Sequence, residues 1–174
     1  QPEWATFDPV LAARWRNRVA WVSAATLFTL FSGAFVSTTA GANTSCGVNG
    51  LYYSWPLCHG EFLPSIHDWV VQSQVIHRWL VVAVEVALLA ASYIIWKEGK
   101  EGQCDSTLCH WVWGATGLYL ANIGIGASYI LSWDTTDGYL EYLSLVHLML
   151  ASLTFLVLAT AWLGSTIALD EGGS

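Results

Sequence analysis

Residues 69–96 read WVVQSQVIHRWLVVAVEVALLAASYIIW, an apolar run that contains no glycine or proline. As an α-helix rising 1.5 Å per residue, this stretch is long enough to cross a hydrocarbon core of ~30 Å, with length to spare for tilt. Inside it sit Gln74, His77, Arg78 and Glu85. A polar side chain in hydrocarbon is costly, so it normally has a partner and a task. A second histidine, His147, lies in an equally apolar run near the C-terminus.

The rest of the composition agrees with a membrane setting. Of 174 residues, 55% are hydrophobic and only 11% are charged, against roughly a quarter charged in soluble domains. Eleven tryptophans, many near the ends of apolar runs, suit the interfacial belts of an integral membrane protein. A net charge of −7 argues against nucleic acid as a partner.

Four spans are expected, at about 19–39, 69–96, 108–131 and 139–169. The first is too long for the apolar core of a cleavable signal and is read as a true span. The expected fold is all-α: one membrane domain over residues 1–174, a four-helix bundle made of two related helical hairpins. Five of the six basic residues, Arg14, Arg16, Arg18, Lys97 and Lys100, lie before the first span or after the second. The excess of basic residues in cytoplasmic segments then puts both termini and the 97–107 loop inside. The long 40–68 loop faces outward from a multi-pass protein of the cell membrane. Gly33-Ala34 and Gly126-Ala127 recur near the outer ends of spans one and three, and one histidine falls in each of spans two and four. This is the pattern of a parallel repeat, which often sets a site at its interface.

His77 lies eight residues past Trp69, and His147 eight past Tyr139. If those aromatics mark the outer interface, each histidine sits roughly 12 Å down its helix. Two imidazoles at one depth on two helices can ligate a haem iron from opposite faces. The plainer reading is two histidines bonded to backbone or hydroxyl groups. Arg78 is set either to pair with haem propionates or to snorkel to the interface. Gln74 shares the face of His77 and can contact a haem substituent or act as interhelical glue. Glu85 is a candidate proton relay, and Asn122 is read as glue. Cys46 and Cys58 share the outer loop, where a disulfide or an exchangeable redox pair is possible. Cys104 and Cys109 fall on the inner side, where thiols are expected to stay reduced. With His110 they make no complete metal site.

Gly41-Ala42-Asn43-Thr44-Ser45-Cys46-Gly47, Trp55-Pro56-Leu57-Cys58-His59-Gly60 and His77-Arg78 together resemble the first half of the heme A synthase family. In that family a Gly-rich helix end leads to an outer loop with a cysteine pair and a Trp-Pro-Leu-Cys sequence. The next helix carries Glu-x-x-His-Arg, and a later helix supplies the partner histidine. The resemblance extends over the chain, with Gly126-Ala127 and His147 supporting its second part. It implies His77 and His147 as haem ligands, Arg78 beside the first, and oxidation of the heme O methyl group to the heme A formyl group. Members have two fused four-helix halves, whereas this chain corresponds to one, a compact form that homodimerisation would complete.

There are two departures. Val48 to Ser54 includes an insertion that widens the cysteine spacing, and the family's catalytic glutamate falls at Gln74. A glutamine cannot ionise. The second half of the larger enzymes, which holds a non-substrate heme B, generally lacks that glutamate too. Two functions are therefore expected to compete: a compact heme A synthase, or a b-type cytochrome that serves a respiratory membrane complex without altering its haem. Its electron donor is not specified by the sequence. A thiol–disulfide partner acting through Cys46 and Cys58 is a third.

Overall fold

The computed structural model describes residue 7 and residues 9–64, 68–100, 106–133 and 138–172. Four α-helices carry the chain: α1 Pro9–Thr38, α2 Trp69–Lys100, α3 Ser106–Leu131 and α4 Glu141–Gly172. No strand occurs among the described residues. The closest packing joins α4 to α1 and to α3, while α2 is set more loosely against the same two helices. α2 and α4 therefore occupy one diagonal of the bundle, and α1 and α3 the other.

Three helices, α1, α2 and α4, are long and apolar enough to cross a membrane. Only 28%, 22% and 11% of their most apolar windows are buried, so most of that apolar surface faces away from the bundle. Trp21, Phe28, Phe31, Leu145 and Met149 are among the exposed side chains. A helix stands at each of the four expected spans, and α3, with 26 residues, is also long enough to cross a hydrocarbon core.

α1 also begins well before the expected start at Val19, and Arg14, Arg16 and Arg18 are inside the helix. Pro9, with its φ already helical, opens it. The extension is held by packing against the inner end of α2. Trp15 is 1% exposed, and its indole N–H donates to Glu98 Oε2 at 2.8 Å. Glu98 also faces Arg14 and Arg18 at 3.6 and 3.8 Å.

The end carrying the 40–64 loop is termed outer. The inner half is filled by Leu11, Trp15, Val19, Leu88, Ile95, Leu108, Val112 and Leu158, all buried in one cluster. Cys109 belongs to that cluster, and it is disulfide-bonded. That departs from the expectation of a reduced inner thiol; Cys104 lies outside the described residues. The outer half has a much smaller cluster, Cys46, Cys58 and Val75, and the space between the two is hollow.

The outer loop folds over that hollow. α1 ends at Thr38, and Gly41, at φ 78°, supplies the left-handed turn that starts a 3-10 turn at Ala42–Thr44. Cys46 and Cys58 form a disulfide, their Cα atoms 4.5 Å apart. The backbone N–H of His59 donates to the carbonyl of Cys46 at 3.3 Å, and that of Gly60 to Tyr53 at 3.0 Å. The Trp55–Pro56 peptide is cis.

Candidate functional site

A cavity of about 370 Å³ lies in the outer half, within the usual range for small-molecule and cofactor sites. Its walls expose the internal repeat. α1 contributes Thr26, Thr29, Leu30, Gly33, Ala34, Val36 and Ser37; α3 contributes Tyr119, Asn122, Ile123, Gly126, Ala127, Tyr129 and Ile130. Each α3 position is the α1 position moved by one constant offset. On the other diagonal, Gln74, His77, Arg78 and Val81 of α2 match Ser144, His147, Leu148 and Ala151 of α4 in the same way. The two hairpins thus line the cavity with equivalent positions, as a parallel repeat requires.

His77 and His147 both line this cavity, from facing helices. The ring of each lies over a glycine on the preceding helix. A Cβ placed on Gly33 would come within 3.0 Å of His77 Cε1, and one on Gly126 within 2.8 Å of His147 Cε1. The two glycines flagged by the repeat are therefore imidazole platforms rather than general small-residue helix contacts.

Hydrogen bonding at Nδ1 favours the same tautomer in both rings. His147 Nδ1 is 2.9 Å from the backbone carbonyl of Asn122. A carbonyl only accepts, so Nδ1 carries the hydrogen and Nε2 keeps its lone pair. His77 Nδ1 is 2.8 Å from Ser32 Oγ. The Ser32 hydroxyl already donates to the Thr29 carbonyl at 2.7 Å, so it accepts from His77, and again Nε2 is left as the free donor atom. A metal-ligating imidazole has this form: one nitrogen anchored as a donor, the other available. Ser32 carried no sequence signal of its own; only its place beside Gly33 marks it.

Gln74 and Arg78 also border the cavity, and both hold the outer loop. Gln74 Nε2 donates to the Ala42 carbonyl at 3.0 Å. Arg78 Nη1 donates to the carbonyls of Leu57 at 2.5 Å and Pro56 at 3.3 Å. On the opposite side, Asn43 Nδ2 donates to Tyr129 Oη at 3.0 Å, and Tyr139 Oη donates to the Asn43 carbonyl at 2.8 Å. Asn43 and Tyr129 were not singled out in sequence; their bond spans segments far apart in the chain. The loop is thus pinned to α2 and to the α3–α4 hairpin, with Trp55 and Pro56 on the cavity wall.

Among the described residues, two polar groups in the cavity wall have buried atoms without a partner. Both carboxyl oxygens of Glu85 and Oδ1 of Asn122 are buried without a hydrogen bond. Such groups cost roughly 1–3 kcal/mol each unless something else satisfies them. Asn122 is thus more than glue: its carbonyl orients His147 while its side chain faces an unmet need.

Among the described residues no group of three or more His, Cys, Asp or Glu could hold a bare metal ion. Comparison with known proteins found no matching family model, no matching curated protein and no matching solved structure.

Proposed function

We propose that this chain is a membrane haem protein of the heme A synthase type, in which all four helices would span the bilayer and His77 and His147 would hold the haem iron. One observation carries the reading: two imidazoles on facing helices, each anchored through Nδ1 with Nε2 free, border one cavity and rest on glycines. The residues fit the group. Histidine is a common ligand of haem iron, and the missing side chains of Gly33 and Gly126 leave room for the two imidazoles against α1 and α3. Arg78 uses Nη1 on the loop, and the remaining donors of its guanidinium suit the haem carboxylates.

Bound here, a heme O would present the methyl group whose oxidation to a formyl group, with oxygen from water and four electrons and four protons passed to an external acceptor, would yield heme A. The protein's own part is to hold that substrate between His77 and His147 and to cover it with the disulfide-closed loop. Gln74 supports the second reading, a b-type electron-transfer cytochrome. Its amide is taken up by the Ala42 carbonyl, and it offers no carboxylate for acid–base work. In both readings the loop is on the outer side of the plasma membrane and the basic inner end is cytoplasmic. A homodimer or a larger respiratory complex would complete the functional unit.

Haem extracted from the purified protein decides between them. Heme O or heme A is expected for the synthase; heme B alone would sink it in favour of the cytochrome. His77→Ala and His147→Ala are each expected to abolish the low-spin haem spectrum, and an unchanged spectrum in both refutes the ligand pair. Gln74→Glu, scored for heme A formation, tests whether the carboxylate is the missing catalytic part.

A further inference from the structure

The cavity departs from its own repeat at one place. On α2 the lining continues inward past Val81 to Val82, Glu85 and Val86, whereas the matching α4 residues, Ser152, Phe155 and Leu156, do not border it. The aromatic ring of Phe155 stands in the repeat where α2 has Glu85. The lining therefore reaches about two helical turns inward of His77 along α2, and this inner part of the cavity is called the lobe below.

The lining inward of the histidines includes two polar groups, Glu85 on α2 and Asn122 on α3. Glu85 and Asn122 are 8% and 5% exposed, both border the cavity, and the Glu85 carboxyl oxygens and Asn122 Oδ1 have no partner. Asn122 Oδ1 can only accept, so the lobe calls for a ligand group that donates a hydrogen bond. Val82 and Val86 continue the same wall and are 51% and 61% exposed. An apolar chain leaving the lobe along them would stay in apolar surroundings out to the lipid.

We propose that this lobe receives a hydroxyalkyl side chain of the haem, and that Asn122 and Glu85 are the residues that select it. The inference rests on the haem reading above. A haem with its carboxylates toward Arg78, at the outer end, turns its opposite edge inward to the lobe. Heme B carries only small hydrocarbon groups on that edge. Heme O carries a hydroxyl at the root of a long isoprenoid chain. The hydroxyl hydrogen meets Asn122 Oδ1 or Glu85, and the chain follows Val82 and Val86. A site that leaves buried acceptors unpaired with one ligand and pairs them with another discriminates through that difference.

The test is a spectral titration of the full chain, purified in detergent from haem-deficient cells, with heme O and with heme B. Heme O is expected to bind at least roughly tenfold more tightly. Glu85→Phe, which copies Phe155 into the lobe, and Asn122→Leu are each expected to bring that ratio close to one by weakening heme O. A low-spin spectrum with heme B marks a variant as folded. If Glu85→Phe fails that check, Asn122→Leu carries the test, because the Asn122 carbonyl that holds His147 is backbone. Equal affinities in the unaltered protein overturn the assignment. So does a preference that survives in a folded variant lacking both acceptors, Asn122→Leu with Glu85→Leu, which would be due to the hydrocarbon chain alone. Absence of any low-spin spectrum in the unaltered protein is a different failure, that of the haem reading itself.

Discussion

Gly126 and Gly33 are small residues with a large consequence. A methyl group on Gly126 would sit 2.8 Å from His147 Cε1 and 3.0 Å from Nδ1, too close for the ring to stay. Gly126→Ala is therefore expected to push the imidazole off the Asn122 carbonyl and weaken haem binding by about 1–3 kcal/mol, as overpacking does elsewhere. Gly33→Ala meets His77 at 3.0 Å and should have a smaller effect of the same sign. Titrating both variants with haem checks the order; a Gly126→Ala protein that binds as tightly as the unaltered one refutes the platform role. The histidines themselves were legible in the sequence because a polar ring in an apolar run stands out. Their anchors were not. Ser32 acts only because its own hydrogen is committed to Thr29, and Asn122 acts through a carbonyl that every residue possesses.

The helices were legible for the same reason that their ends were not. Apolar runs of adequate length dictate a helix in lipid, and the interiors of α2 and α4 fall where those runs lie. The start of α1 depends on Trp15 and Glu98 meeting across two helices, and no local pattern announces such a contact. The outer loop is the least readable element, since Gln74, Arg78 and Asn43 hold it through backbone carbonyls and a phenol. The Cys46–Cys58 pair, separated by 12 positions, adds roughly 3 kcal/mol on the chain-entropy estimate. Cys46→Ser with Cys58→Ser is expected to leave the helices intact and to open residues 40–64 to proteolysis. Arg78→Ala should do the same more mildly, by releasing Leu57 and Pro56. Limited proteolysis in detergent reads both, and a loop that stays resistant in both variants contradicts the pinning.

At the level of the whole bundle, the two-hairpin plan was visible in sequence from the Gly-Ala pairs and the depth-matched histidines. The constant register of the cavity wall became visible only when the helices were packed. The lobe at Glu85 could not be foreseen, because it exists through what Phe155 does on the other hairpin. The filled inner half and the hollow outer half divide the molecule in a way that governs its motions. Amides of residues near Leu88, Val112 and Leu158 should exchange slowly with deuterium whether or not the cavity is loaded. Those beside His77, Gly126 and His147 should exchange quickly in the empty protein and slow down on loading, because a ligand stabilises only the state that binds it. Uniform protection along all four helices in the empty protein would contradict this. A bundle built this way can fold from its inner half while its outer half remains pliant, so capture of the proposed cofactor would be the last step of its maturation rather than the first.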